Sequence, residues 1–145
     1  MKKVWLLIAI FAFGILGAHA QSAASAGVPS LTGAEYAKSS SEDIHVMLVG
    51  FKGCGPCSLA EKLVLKPLLE RFANEVHVKV VKVDTTQDEA ASAANQQIKT
   101  LFQVQKFPTI LVVYRKGAMW QKEGFSMSQA QSTIDAIVSA VSKLK

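Results

Sequence analysis

The run Ile44-His45-Val46-Met47-Leu48-Val49-Gly50-Phe51 is apolar at almost every position. A strand with one wet face alternates, whereas a nearly continuous apolar run is covered on both faces. The stretch therefore predicts a central strand with helices on either side, and hence an α/β fold. Lys52-Gly53 leads from it into Cys54-Gly55-Pro56-Cys57, and a helical pattern begins at Cys57. These are the only two cysteines in the 145 residues.

That spacing has a chemical reading. Residues i and i+3 on a first helical turn share a face, close enough for two sulfurs to bond. A helix N-terminus carries partial positive charge and unpaired N–H groups, which favour thiolate over thiol. Thiolate is the nucleophile of disulfide exchange. Cys54, expected to be the outer and more exposed sulfur, is assigned as nucleophile. Cys57, one turn in, is assigned as the resolving thiol. Pro56 suits the first turn, where no N–H is needed, and Gly55 permits close approach of a substrate. A zinc site lacks a second cysteine pair, and His45 and His77 show no ligand spacing. A structural disulfide closing so short a loop would constrain the unfolded chain little.

The N-terminus sets the expected compartment. Lys2 and Lys3 precede an apolar run from Val4 to Gly17, and Ala18-His19-Ala20 follows. This is the pattern of a secretory signal peptide over residues 1–20, cut before Gln21. Residues 21–30 are small and polar and read as a flexible segment, with the folded domain over 31–145. Removing Lys2 and Lys3 takes the formal net charge from +5 to +3. The remaining charge is dispersed, with no basic stripe for nucleic acid. The expected location is periplasmic or secreted, where an idle dithiol drifts to the disulfide.

Along the domain, Leu31 to Ser40 predicts a short helix capped by Thr32. The pattern Leu59, Leu63, Val64, Leu68, Phe72 predicts a helix that Pro67 kinks or divides. Val76 to Val83 reads as a second strand, with His77 and Lys79 pointing outward. His45 reads as a strand-edge polar residue. Residues 88–102 predict an alanine-rich helix, Ile110 to Arg115 a third strand, and Met119 to Glu123 a fourth, joined by a turn at Lys116-Gly117. Ser128 is the expected cap of a last helix bearing Ala130, Ile134, Ile137, Val138, Val141 and Leu144. Trp120 reads as packing. The first two strands should be parallel through a right-handed crossover and the last two an antiparallel hairpin.

Cys54-Gly55-Pro56-Cys57, Asp84 after a valine-rich strand, Phe107-Pro108-Thr109 before an apolar strand, and Gly124 after the hairpin together resemble the thioredoxin superfamily. The resemblance covers roughly residues 44–145 and is to the exported, periplasmic thioredoxin-like group. It implies a three-layer fold, a mixed sheet of about four strands with helices on both faces. It implies that Pro108 is cis and lies beside the dithiol, presenting Phe107, Pro108 and Thr109 to a substrate peptide. The chain departs from the family pattern around the motif. Gly53 stands where a tryptophan is usual. Leu48 stands where a buried aspartate is thought to serve the resolving cysteine, and the lysine that partners it falls near Val80. Glu61 is the expected replacement acid, and Lys52 the expected cation beside the Cys54 thiolate.

The expected function is thus a thiol–disulfide oxidoreductase working through a mixed disulfide. The Gly-Pro dipeptide leans towards a reductase; a disulfide oxidase or isomerase, or a non-catalytic binding module, are the alternatives. Protein or small-molecule disulfides would be substrates, and a membrane or soluble thiol would supply electrons. No cofactor beyond the Cys54–Cys57 pair, no metal, and a monomer are expected.

Overall fold

The computed structural model describes residues 27–86 and 89–145. The predicted signal peptide lies outside the described residues. The elements run α1 (Gly33–Lys38), β1 (Ile44–Gly50), α2 (Gly55–Ala60), a π turn (Glu61–Leu65), α3 (Lys66–Arg71), β2 (Val78–Asp84), α4 (Glu89–Leu101), β3 (Thr109–Tyr114), β4 (Gly117–Glu123), a 3-10 turn (Met127–Gln129) and α5 (Ala130–Ser142).

The strand order is β2-β1-β3-β4, with β1 parallel to β2, and β3 antiparallel to both β1 and β4. Every residue of β1 is buried, as its unbroken apolar run requires. Period-two alternation then divides the core. Val46, Leu48, Val80 and Ile110 face α2, α3 and α5, where they meet Val64, Leu68 and Ile137. Met47, Val49, Val81 and Leu111 face the other way, onto Tyr36 of α1 and Ile98 and Phe102 near α4. This is the three-layer α/β arrangement that the sequence predicts.

The helix after the dithiol is divided, but not by a simple kink. Its middle widens into a π turn, in which the Lys66 N–H reaches back to the Glu61 carbonyl. Pro67, which has no N–H to give, then sits in the first turn of α3. The wider turn rotates the apolar stripe. Ala60, Val64, Leu65, Leu68 and Phe72 are buried, while Leu59 and Leu63 are only partly covered.

Five local expectations need correction. Val28 to Leu31 is not a loose segment: Val28 is buried, the Lys82 N–H donates to the Pro29 carbonyl, and the Leu31 N–H donates to the Lys82 carbonyl. The free edge of β2 takes up this strap, so the folded unit begins before residue 31. Val76 lies outside β2 and is exposed. The hairpin turn is Arg115-Lys116, both with positive φ, and Gly117 already pairs with Tyr114. Lys116 is held there because its Nζ donates to the Tyr36 carbonyl and to the carbonyl and Oγ of Ser39. Ser128 does not cap α5; Gln129 holds that position, and the Ser128 and Ser126 hydroxyls bond each other. His45 is 3% exposed within the central strand, edge-on to the Tyr36 ring at 5.5 Å. Burial holds its pKa below the ordinary imidazole value, against the opposing pull of Asp43.

Thr32 does cap α1 as expected. Its Oγ1 accepts from the Glu35 N–H, and the Glu35 carboxylate accepts from the Thr32 N–H at 2.8 Å.

Candidate functional site

β1 ends at Gly50, and Phe51 to Gly53 carry the chain across its tip to Cys54. Cys54 is the N-cap of α2, with extended backbone angles, and Pro56 lies in the first turn. Cys54 and Cys57 are joined as a disulfide, with Cα atoms 5.2 Å apart. The Cys57 N–H donates to Cys54 Sγ at 3.2 Å. A capping sulfur so placed receives an otherwise orphan helical N–H, which stabilises negative charge there once the disulfide opens.

Exposure does not separate the two sulfurs. Cys54 is 5% and Cys57 7% exposed, contrary to the expectation that Cys54 is the open one. In the disulfide each sulfur covers the other. Position separates them instead. A Cβ built on Gly50 would lie 2.9 Å from Cys57 Sγ, so Cys57 is backed against the end of the central strand. Cys54 has the helix N-terminus to itself. Gly50 escaped the sequence reading, although a glycine closing an apolar strand is a signal of close backbone approach.

The Phe107–Pro108 peptide bond, just ahead of Thr109, which pairs with Val49 near the end of β1, is cis. The Phe51 and Phe107 rings meet edge to face at 5.5 Å, and Lys99 Nζ sits 5.4 Å from the Phe107 ring centre. Gly124 donates its N–H to the Pro108 carbonyl, which fixes this loop to the end of β4. Thr109 is fully buried and its hydroxyl donates to the Lys106 carbonyl at 2.6 Å. Its side chain is therefore turned inward and braces the loop.

Below the disulfide is a cavity of about 190 Å³ whose lining includes Leu48, Cys57, Glu61 and Lys82. Lys82 Nζ donates to both Glu61 carboxylate oxygens, at 3.0 and 3.2 Å. The register pairs Lys82 with Leu48, so the lysine opposite the expected acid position is Lys82 and not Val80. Lys52 also lines this cavity, and its backbone N–H donates to Thr86 Oγ1. The site thus brings together Cys54, Cys57, Lys52 and Glu61, with Phe107 and Pro108 on the adjoining loop.

The family model described as thioredoxin matches residues 27–140. A search of curated proteins finds no match. Among solved structures, chloroplastic thioredoxin z is similar over 81% of this chain and 96% of its own, at 22% identity and a TM-score of 0.56. The germline-specific thioredoxin Deadhead of Drosophila melanogaster is similar over 75% and 97%, at 16% identity and a TM-score of 0.56. Thioredoxin f2 of Chlamydomonas reinhardtii is similar over 76% and 95%, at 18% identity and a TM-score of 0.53. At these identities the likeness is one of fold, and the family model spans most of the chain. With a disulfide-forming pair capping its first long helix, the chain belongs to the thioredoxin family and is a thiol–disulfide oxidoreductase.

Proposed function

We propose that this chain is an exported reductase of protein or small-molecule disulfides. The reduced pair would act in two steps. Cys54 thiolate attacks a substrate disulfide, forms a mixed disulfide and releases one substrate thiolate. Cys57, as thiolate, then attacks Cys54 Sγ and releases the second. Two electrons pass from the dithiol to the substrate, and the Cys54–Cys57 disulfide is left. An external thiol donor, membrane-bound or soluble, must reduce it again. The observation that carries the assignment of roles is the Cys57 N–H aimed at Cys54 Sγ at 3.2 Å, while Cys57 Sγ lies against Gly50.

Phe51 and Phe107 form an apolar rim on which a substrate segment would rest. Lys52 is assigned the lesser part of favouring negative charge near Cys54. The direction of flux rests on the Gly55-Pro56 dipeptide, and export on the basic, apolar and small-residue pattern of residues 1–20. The protein is taken to act as a monomer and without a bound cofactor.

Replacing the resolving thiol tests the roles. Cys57→Ser, given a disulfide-bonded peptide, should accumulate a mixed disulfide on Cys54, seen by intact-mass measurement and peptide mapping. Cys54→Ser should accumulate little. Trapping through Cys57 in preference to Cys54 would reverse the assignment, and no adduct on either variant would favour a non-catalytic module.

A further inference from the structure

Cys57 must lose its proton before it can attack, because thiolate is the reacting form. Its surroundings do little to remove that proton unaided. Cys57 is buried, its N–H is already spent on Cys54 Sγ, and the apolar Leu48 lines the same cavity. An apolar neighbour favours the neutral thiol.

Two carboxylates line the cavity beneath Cys57, Glu61 and Asp84, together with two ammonium groups, Lys52 and Lys82. They differ in what holds them. Asp84, the last residue of β2, is tied to the turn that follows: its Oδ1 accepts from the Thr86 N–H at 2.8 Å and from Thr86 Oγ1 at 2.6 Å. Glu61 lies one helical turn past Cys57, and its own N–H donates to the Cys57 carbonyl. Its side chain is 22% exposed, and both carboxylate oxygens are held by Lys82. Lys82 reaches it from the face of β2 that also carries Val78 and Val80, level with Leu48. The strap at Ser30, bridged to Lys82, completes that wall. At about 190 Å³ the cavity has ample room for ordered water, given that one water needs about 10–15 Å³ of such volume.

We infer that Glu61, positioned by Lys82, accepts the Cys57 proton through water in this cavity when the mixed disulfide resolves. The step balances simply. The proton of Cys57 Sγ–H passes through water to the Glu61 carboxylate as Cys57 sulfur bonds to Cys54 Sγ. The Cys54–substrate S–S bond breaks and its electron pair leaves with the substrate sulfur. Glu61 returns its proton to solvent or to the departing thiolate. Glu61 is here a proton acceptor acting at one water's remove, and Lys82 a positioning residue.

The inference rests on Cys57 being the resolving thiol, and one experiment separates the two claims. The reduced full chain is mixed with the aromatic disulfide 5,5′-dithiobis(2-nitrobenzoate), and release of the coloured thiolate is followed by stopped flow. The first release reports attack by Cys54 and the second reports resolution by Cys57. Glu61→Gln should slow the second release about tenfold or more near pH 7, a modest share of what general bases contribute. The difference should narrow as the pH is raised from 7 to about 9.5, past the ordinary thiol pKa of about 8.5, because more thiolate then forms without help. Lys82→Gln should slow the same phase less, with the same narrowing of the gap. Glu61→Asp should recover part of the lost rate. Asp84→Asn should leave the second release at the wild-type rate. A Glu61→Gln rate equal to wild type at pH 7, a deficit that persists unchanged at pH 9.5, or a deficit in Asp84→Asn alone would overturn the inference. Absence of any second release in the wild type would instead overturn the role of Cys57.

Discussion

Gly50→Ala isolates the contact between the central strand and Cys57. The added Cβ would stand 2.9 Å from Cys57 Sγ and 3.2 Å from Cys57 Cβ. Unstrained carbon contacts lie near ~3.5–4.0 Å, so the methyl intrudes by roughly half an ångström or more. In the disulfide, Cys57 Sγ is tied to Cys54 and cannot turn away. In the dithiol it can change rotamer at small cost. The clash therefore falls mainly on the oxidised form. Overpacking of this kind costs about 1–3 kcal/mol. For a two-electron couple, 1.4 kcal/mol corresponds to about 30 mV, so the potential should rise by roughly 20–60 mV. Equilibration of wild type and variant in graded dithiothreitol buffers measures the shift. Thermal unfolding of both redox forms checks its origin: the oxidised variant should lose more stability than the reduced one. An unchanged or lowered potential in a folded variant would refute the proposed backing of Cys57 by Gly50.

Two further outcomes follow from the scaffold. Gly33→Ala would drive a methyl into the Ala94 backbone where α1 crosses α4, and should lower stability by about 2 kcal/mol or more in denaturant melts. A loss under about 0.5 kcal/mol would mean the helices can part freely. His45 has a folded pKa below its unfolded value, because burial disfavours the charged form. The unfolded chain therefore binds the proton first as pH falls. Stability from this group is full above about pH 6.5 and is lost below it, at no more than about 1.4 kcal/mol per pH unit. Lys116 and Lys79 add to the depression, Asp43 opposes it, and His45→Phe should flatten the slope below about pH 6.5. An unchanged slope in that variant would assign the acid sensitivity elsewhere.

The scaffold was legible where burial writes itself into composition. The run from Ile44 is apolar because both faces of β1 are covered, and Thr109–Tyr114 carries the same signature, whereas Lys79 and Lys82 interrupt it in Val78–Asp84. The dithiol and its helix were legible from the i, i+3 spacing. What was lost depends on partners distant in sequence. Glu61 could be singled out by its spacing from Cys57, but Lys82 could not, because it arrives through the β1–β2 register. Val28 and Leu31 are two apolar residues in a polar stretch, too brief a pattern to announce a strap along β2. Thr109 read as a substrate contact because the family resemblance groups it with Phe107 and Pro108; its inward turn is set by a bond to Lys106 that no periodicity encodes. Arg115-Lys116 took the hairpin turn from Gly117 because three acceptors on α1 and its cap hold the Lys116 ammonium.

The most direct test of the reductase reading is the reduction potential of the Cys54–Cys57 pair in the wild-type chain, measured against dithiothreitol or glutathione couples. A reductase with the Gly-Pro dipeptide should lie near the thioredoxin value of about −270 mV. A value near about −120 mV, that of a strong disulfide donor, would contradict it and assign the chain to disulfide formation.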